Sequence, residues 1–183
     1  IDSSLHTVSG QISQDVYDDS TLSTLGYTPD EYRHIIERSL IRQKVAYKID
    51  KKAMAAKEAA SKAIAANPKV SLADLAKQLQ EQGYTNIQVG SSGLVPKTNH
   101  DGGLTQTASK LQKNARSEFI RSTTGDGYYL VELTDSNDKQ LSYNFIKIPL
   151  TAFDERLKAL AKNHKVQEYI DVKKTASPVI NKQ

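Results

Sequence analysis

The 183-residue chain contains no cysteine. That excludes disulfides, thiol nucleophiles and thiolate metal sites, and it suits an oxidising exterior, where an unpaired thiol is a liability. Histidine is scarce as well. His6, His34, His100 and His164 show no H-x-x-x-H or similar ligand spacing, so neither a metal nor another cofactor is expected. No stretch reaches the run of about 18 apolar residues that a membrane span needs, and no charged-then-apolar leader opens the chain. The first residue is Ile1 rather than Met, which suits an excised piece of a longer protein with an anchor or signal upstream.

Lys and Arg are missing from residues 1–32, which hold six acids. Residues 33–69 reverse this, with ten bases (among them Arg33, Arg38, Arg42, Lys44 and Lys48) against Glu37, Asp50 and Glu58, a net of +7. Such a run forms a solvated helix face that also attracts the acidic N-terminal segment. The sharper reading is a patch for an acidic polypeptide or an anionic membrane surface. Nucleic acid is not an expected partner, because no RNA-binding aromatic motif or DNA-reading helix accompanies the charge.

With 38% hydrophobic and 25% charged residues, the chain can bury a core of one domain or two small ones. Residues 5–17, "LHTVSGQISQDVY", read as a short extended segment leading into a helical turn. The stretch "TPDE" makes Thr28 an N-cap, with Pro29 at the first helical position and Glu31 at the third. Tyr32, Ile35, Ile36, Leu40, Val45 and Ile49 follow at helical spacing and predict a helix of about 20 residues with one apolar stripe. "DKKAMAAKEAASKAIAANP" predicts an Ala-rich helix ended by Asn67-Pro68. "SLADLAKQLQEQG" predicts a third, capped by Ser71, turning Leu72, Leu75, Ala76 and Leu79 inward and stopping at Gly83.

From residue 84 a short strand and a long Gly, Ser, Asn and Pro loop are expected. "LTQTASKLQKN" then predicts a short helix, and "SEFIRST", "GYYLVELT" and "QLSYNFIKIPL" predict three strands joined by hairpins. Thr151 with Asp154 opens a last helix through Phe153, Leu157 and Leu160. "KVQEYIDV" continues it or forms a strand, and the end reads as a frayed tail. Helices first and an antiparallel sheet later make the fold class α+β.

"VSGQISQDVY" followed by "LGYTPDEYRHIIERSLIRQKV" resembles the opening of the SurA/PrsA/PpiD group of bacterial periplasmic or cell-surface chaperones and parvulin-type peptidyl-prolyl isomerases. "LADLAKQL", "VGSSGLVP" and "ASKLQKNARSEFIRSTTGDGYYLVEL" resemble the helix, Gly-rich loop and terminal hairpin of its parvulin domain. The resemblance implies a helical chaperone-like lobe from residues 1–50 with 151–175, a degenerate parvulin-like domain over 51–150 with a small antiparallel sheet, and a tail at 176–183. In the family a pocket of two histidines, a Cys, Asp or Ser, and apolar residues twists an X-Pro amide over a barrier of roughly 18–20 kcal/mol.

This chain has Tyr129 at the position of the second histidine. The strand carrying the first histidine is missing from "RQKVAYKIDKKA". The strand nearest to its sheet position is "LSYNFIKIPL", with Asn144 or Phe145 near the histidine's place. Tyr129, Asn144 and Ser142 are therefore the pocket candidates.

The implied function is an extracytoplasmic, membrane-anchored chaperone or foldase-like module that holds unfolded or newly exported polypeptide without isomerase catalysis. Tyr17, Tyr27, Tyr32, Tyr47 and Tyr84 are its candidate client surface, being amphipathic and tolerant of partial exposure. The alternatives are an active isomerase with an altered pocket and a cell-surface adaptor that never meets unfolded chains. A hydrolase built on His100-Asp101 with Ser91 or Ser92 lacks any G-x-S-x-G context.

Overall fold

A computed structural model describes residues 26–163. The segment at 5–17, the stretch "KVQEYIDV" and the tail lie outside the described residues. The architecture is α+β, with five helices and a five-stranded antiparallel sheet among the described residues. In chain order the elements are α1 (Pro29–Ile49), α2 (Lys51–Ala66), α3 (Leu72–Glu81), β1 (Gln88–Ser91), β2 (Val95–Pro96), α4 (Leu104–Ala108), β3 (Ile120–Arg121), β4 (Gly127–Ser136), β5 (Gln140–Pro149) and α5 (Ala152–Lys162). The described residues up to Phe153 form one compact unit, and the rest of α5 belongs to a second. On that second part Leu157 and Leu160 are exposed.

Helix α1 starts where the capping box demands. The Glu31 amide donates to Thr28 Oγ1 at 3.2 Å and the Thr28 amide to Glu31 Oε2 at 2.8 Å, so two amides without helical partners are satisfied. Its apolar stripe does not stay together. Tyr32, Ile36 and Leu40 are half-buried and Tyr47 is buried, while Ile35 and Val45 face solvent, because Ile35 falls on the flank of that side and Val45 opposite it.

The chain turns sharply between α1 and α2 at Asp50, which is 2% exposed. Its Oδ1 accepts from the Ala53 amide at 2.9 Å and caps α2. Its Oδ2 accepts from the amides of Thr151 at 2.7 Å and Ala152 at 3.0 Å, about a hundred residues away. One buried carboxylate thus ties the helical hairpin to the exit of β5, and the three amides satisfy it.

Alanine at positions 53, 56 and 60 gives α2 a buried face with no bulk. It can therefore lie close to α3, whose Leu72, Leu75, Ala76 and Leu79 are buried, and to Tyr128, Leu130, Ile146 and Ile148 on the sheet. Gly83 takes φ +88°, a left-handed turn that lets the Tyr84 amide reach the Leu79 carbonyl at 3.0 Å and close α3.

The sheet order is β1-β5-β4-β3, with β2 also paired to β5. Strand β5 is central. Its hairpin with β4 turns on Asn137, whose side chain accepts from the Lys139 and Gln140 amides at 2.9 and 2.8 Å. "SEFIRST" contributes only the two residues of β3, and the expected irregular loop contains β2. At Gly127 the partner strand comes so close that a Cβ would stand 2.6 Å from the Ile148 carbonyl oxygen.

Candidate functional site

Pairing of Tyr129 with Lys147 sets the faces of the sheet. Directly opposed residues point the same way, so the odd-numbered side chains of β5 share the face of Tyr129 and the even-numbered ones do not. Tyr129, Val131, Leu133, Leu141, Tyr143 and Phe145 cluster on one face under Leu104 and Ala108 of α4. Ser142 and Asn144 lie on the other. The three pocket candidates are not brought together.

Ser142 exchanges a hydrogen bond with Thr134 Oγ1 at 2.7 Å, and Asn144 lines a groove near the start of α3. Of the two positions expected near the first histidine's place, Phe145 shares the face of Tyr129, their ring centroids 5.8 Å apart. The absence of a side chain at Gly90 makes room for it, since a Cβ there would meet the Phe145 ring at 2.5 Å.

Two polar clusters organise this face. In the first, Asp126 Oδ2 accepts from the Tyr129 hydroxyl at 2.7 Å and from Lys147 Nζ at 2.6 Å, and Oδ1 accepts from Thr124 Oγ1 at 2.8 Å. Burial works to raise the Asp126 carboxyl, but Lys147, Tyr129 and Thr124 outweigh it and hold it well below the usual carboxylate range. Burial and the Asp126 hydrogen bond push the Tyr129 phenol up. Burial would lower Lys147; its bonds to Asp126 and Tyr129 raise it instead.

In the second cluster, Asp101 accepts from the Thr105 amide at 2.9 Å, the Thr105 hydroxyl at 2.5 Å, the Tyr143 hydroxyl at 2.5 Å and Asn99 Nδ2 at 3.0 Å. Burial opposes ionisation of Asp101, yet Thr105 and Tyr143 hold it below its ordinary value. Burial and the Asp101 bond push Tyr143 up.

The chemical consequence is inertness toward proton transfer near neutral pH. A general base or acid works best when it titrates near the working pH, and these phenols stay protonated while these carboxylates stay ionised. Tyr129 and Tyr143 are 8% and 3% exposed, so neither ring offers its face to a ligand.

The candidate client tyrosines are scattered. Tyr27 is exposed, Tyr32 half-buried, and Tyr84 half-buried against the main core. Tyr47 does not face solvent. It is 6% exposed, its hydroxyl donates to the Gly127 carbonyl at 2.6 Å, and its ring lies edge-on to Tyr128. Burial, then the charge of Asp126, pushes its phenol up to about 12. Tyr17 lies outside the described residues.

Among the described residues one side of α1 faces solvent. Ile41, 61% exposed, and the exposed Ile35 and Val45 alternate there with Arg38, Arg42 and Lys48. Positions 35, 38, 42 and 45 follow the i, i+3, i+7, i+10 spacing of a single helix side.

Among the described residues no group of three or more His, Asp or Glu could hold a metal, and no helix is long and apolar enough to cross a membrane. Sequence reasoning missed Asp50, Asp126, Tyr143 and Lys147 and weighed Asp101 only as part of a hydrolase constellation that lacks its context. The odd-number parity of Tyr143 and Lys147 with Tyr129 was a usable signal only once the register was known. No protein-family model, no curated protein and no solved structure matches this chain.

Proposed function

We propose that this chain is a polypeptide-holding module of the SurA/PrsA/PpiD kind: an extracytoplasmic chaperone or foldase-like unit, membrane-anchored in its parent protein, that binds unfolded or newly exported polypeptide without isomerase catalysis. The observation that carries this reading is the open face of α1, where Ile35, Ile41 and Val45 are exposed between basic residues. Isolated exposed apolar residues are ordinary; a helix side that repeats them next to cations can meet an unfolded chain through its apolar and acidic groups together. The lack of cysteine agrees with an extracytoplasmic site.

The case against catalysis is chemical. Tyr129 stands where the family resemblance calls for the second histidine, and its phenol and that of its neighbour Tyr143 are fixed to Asp126 and Asp101 beneath α4. An X-Pro segment would have to displace that layer to reach them.

Light scattering of a chemically denatured model protein, diluted into buffer with an equimolar amount of the chain, tests the reading. A holding module delays aggregation, whereas an adaptor leaves it unchanged. A protease-coupled assay on X-Pro peptides completes the test, because turnover at the rate of ordinary parvulins would establish the altered-pocket isomerase instead.

A further inference from the structure

Strand β1 forms one edge of the sheet, and the hydrogen-bond alternation of its pairing with β5 fixes which backbone groups look outward. The Ser92 amide donates to the Tyr143 carbonyl at 2.9 Å, which marks that opposed pair as hydrogen-bonded. Gly90 and Gln88, two and four residues back, then direct their N–H and C=O groups to β5. Val89 and Ser91 direct theirs away from the sheet, and among the described residues no backbone partner meets them.

Sheet edges are ordinarily blunted by charge, proline or cover. Here Pro96 and Lys97 guard the neighbouring β2, and Arg121 lies on β3 at the opposite edge, but "QVGS" of β1 holds neither charge nor proline. Val89 is 46% exposed. Beside this edge, on the side facing α3, lies a groove of about 520 Å³ lined by Leu72, Ala73, Val89, Asn144 and the Arg116–Glu132 ion pair, among others. That pair is closed on itself at 2.5 Å and adds little net charge to the groove.

We infer that the β1 edge is a docking site for an extended polypeptide segment, which adds as a further strand beside Val89–Ser91 and places a small apolar side chain against Leu72, Ala73 and Val89. This mode of recognition takes affinity from main-chain hydrogen bonds and selectivity from alternate side chains, so it is tolerant of sequence. The inference builds on the polypeptide-holding reading and gives it a second site, separate from the face of α1.

The experiment is fluorescence anisotropy of a labelled peptide of alternating Val and Thr, about seven residues long, titrated with the whole chain. A control peptide carries N-methyl groups on alternate amides in either phase. Val89→Pro removes the outward N–H while leaving the β5 ladder its partners.

The expected result is binding of the unmodified peptide, a loss of about tenfold or more with the N-methylated peptides, and a similar loss in Val89→Pro. Should that variant fail to keep its sheet, the N-methylated peptides carry the test on the unaltered protein. Equal binding of the methylated and unmodified peptides overturns the inference. So does a dimer that Val89→Pro abolishes while no peptide binds, which would assign the edge to a second copy of the chain. A reduced, alkylated unfolded protein separates the two proposals. If the peptide does not pair with the edge but the unfolded protein is held equally by the chain and by Val89→Pro, the edge site falls and the holding function stands. If the peptide pairs with the edge but the unfolded protein is not held, the edge site stands and the holding function falls.

Discussion

The two faces of the central sheet are sealed by different physics. Toward α2 and α3 the contact is made by Ala53, Ala56, Ala60, Leu75, Leu79, Leu130 and Ile146, all apolar and tightly buried. Toward α4 it is made by phenols and carboxylates whose hydrogen bonds interlock with a smaller apolar cluster. Burial of methylenes is non-directional, so the first face resists loss of volume but has no dependence on geometry or pH. The second holds only while each donor meets its acceptor and each carboxylate stays ionised. A face of that second kind is a poor place for a proton-transferring site and a good one for a rigid platform, which leaves the proposed polypeptide contacts to α1 and the β1 edge.

The largest expected effect falls on the apolar face. Leu75→Ala, at a fully buried position, lowers the unfolding free energy by about 2–5 kcal/mol in urea titrations. A loss below about 1 kcal/mol would mean that α3 is not packed as described. Asp50→Asn comes next, at about 2 kcal/mol, because a buried side chain that accepts from three amides loses one acceptor oxygen, and thermal melting would register it. Tyr129→Phe removes one hydroxyl donor from the polar face and costs about 1 kcal/mol, with the fold intact by circular dichroism.

The smallest effect is a change of slope. The carboxyls of Asp126 and Asp101 are depressed in the folded state, so their contribution is present above the unfolded carboxylate pKa of about 4 and is lost as pH falls through the lower folded values. Asp126→Asn should therefore flatten the acid limb of stability against pH below about pH 4, solvent exposure keeping the effect modest. A parallel acid limb in the variant would contradict the network. Leu75→Ala should lower the whole curve without changing that slope.

The helices were legible because their ends are written in local chemistry: Thr28 with Glu31, Ser71 with Asp74, Pro68 and Gly83. Alternation likewise exposed β4 and β5. Two-residue strands such as β2 and β3 carry no period, and they exist only because β5 and β4 offer partners.

The site was less legible for a related reason. Tyr129 could be singled out by its place after Gly127-Tyr128, but its cross-strand companions depend on a register fixed by the Asn137 turn and by a bulge between Leu133 and Asp135. A shift of one residue exchanges Asn144 for Tyr143 or Phe145. Asp50 looked like one acid in a basic run, since the amides of Thr151 and Ala152 that it accepts are remote in sequence.

The claim that the exposed side of α1 holds unfolded polypeptide is tested most directly by comparing the chain with Ile35→Glu/Ile41→Glu/Val45→Glu in the light-scattering assay. These positions are exposed, so helicity and melting temperature should change little. The account predicts that the unaltered chain delays aggregation at equimolar ratio and that the triple variant does not. Equal protection by both, or protection by neither, would contradict it.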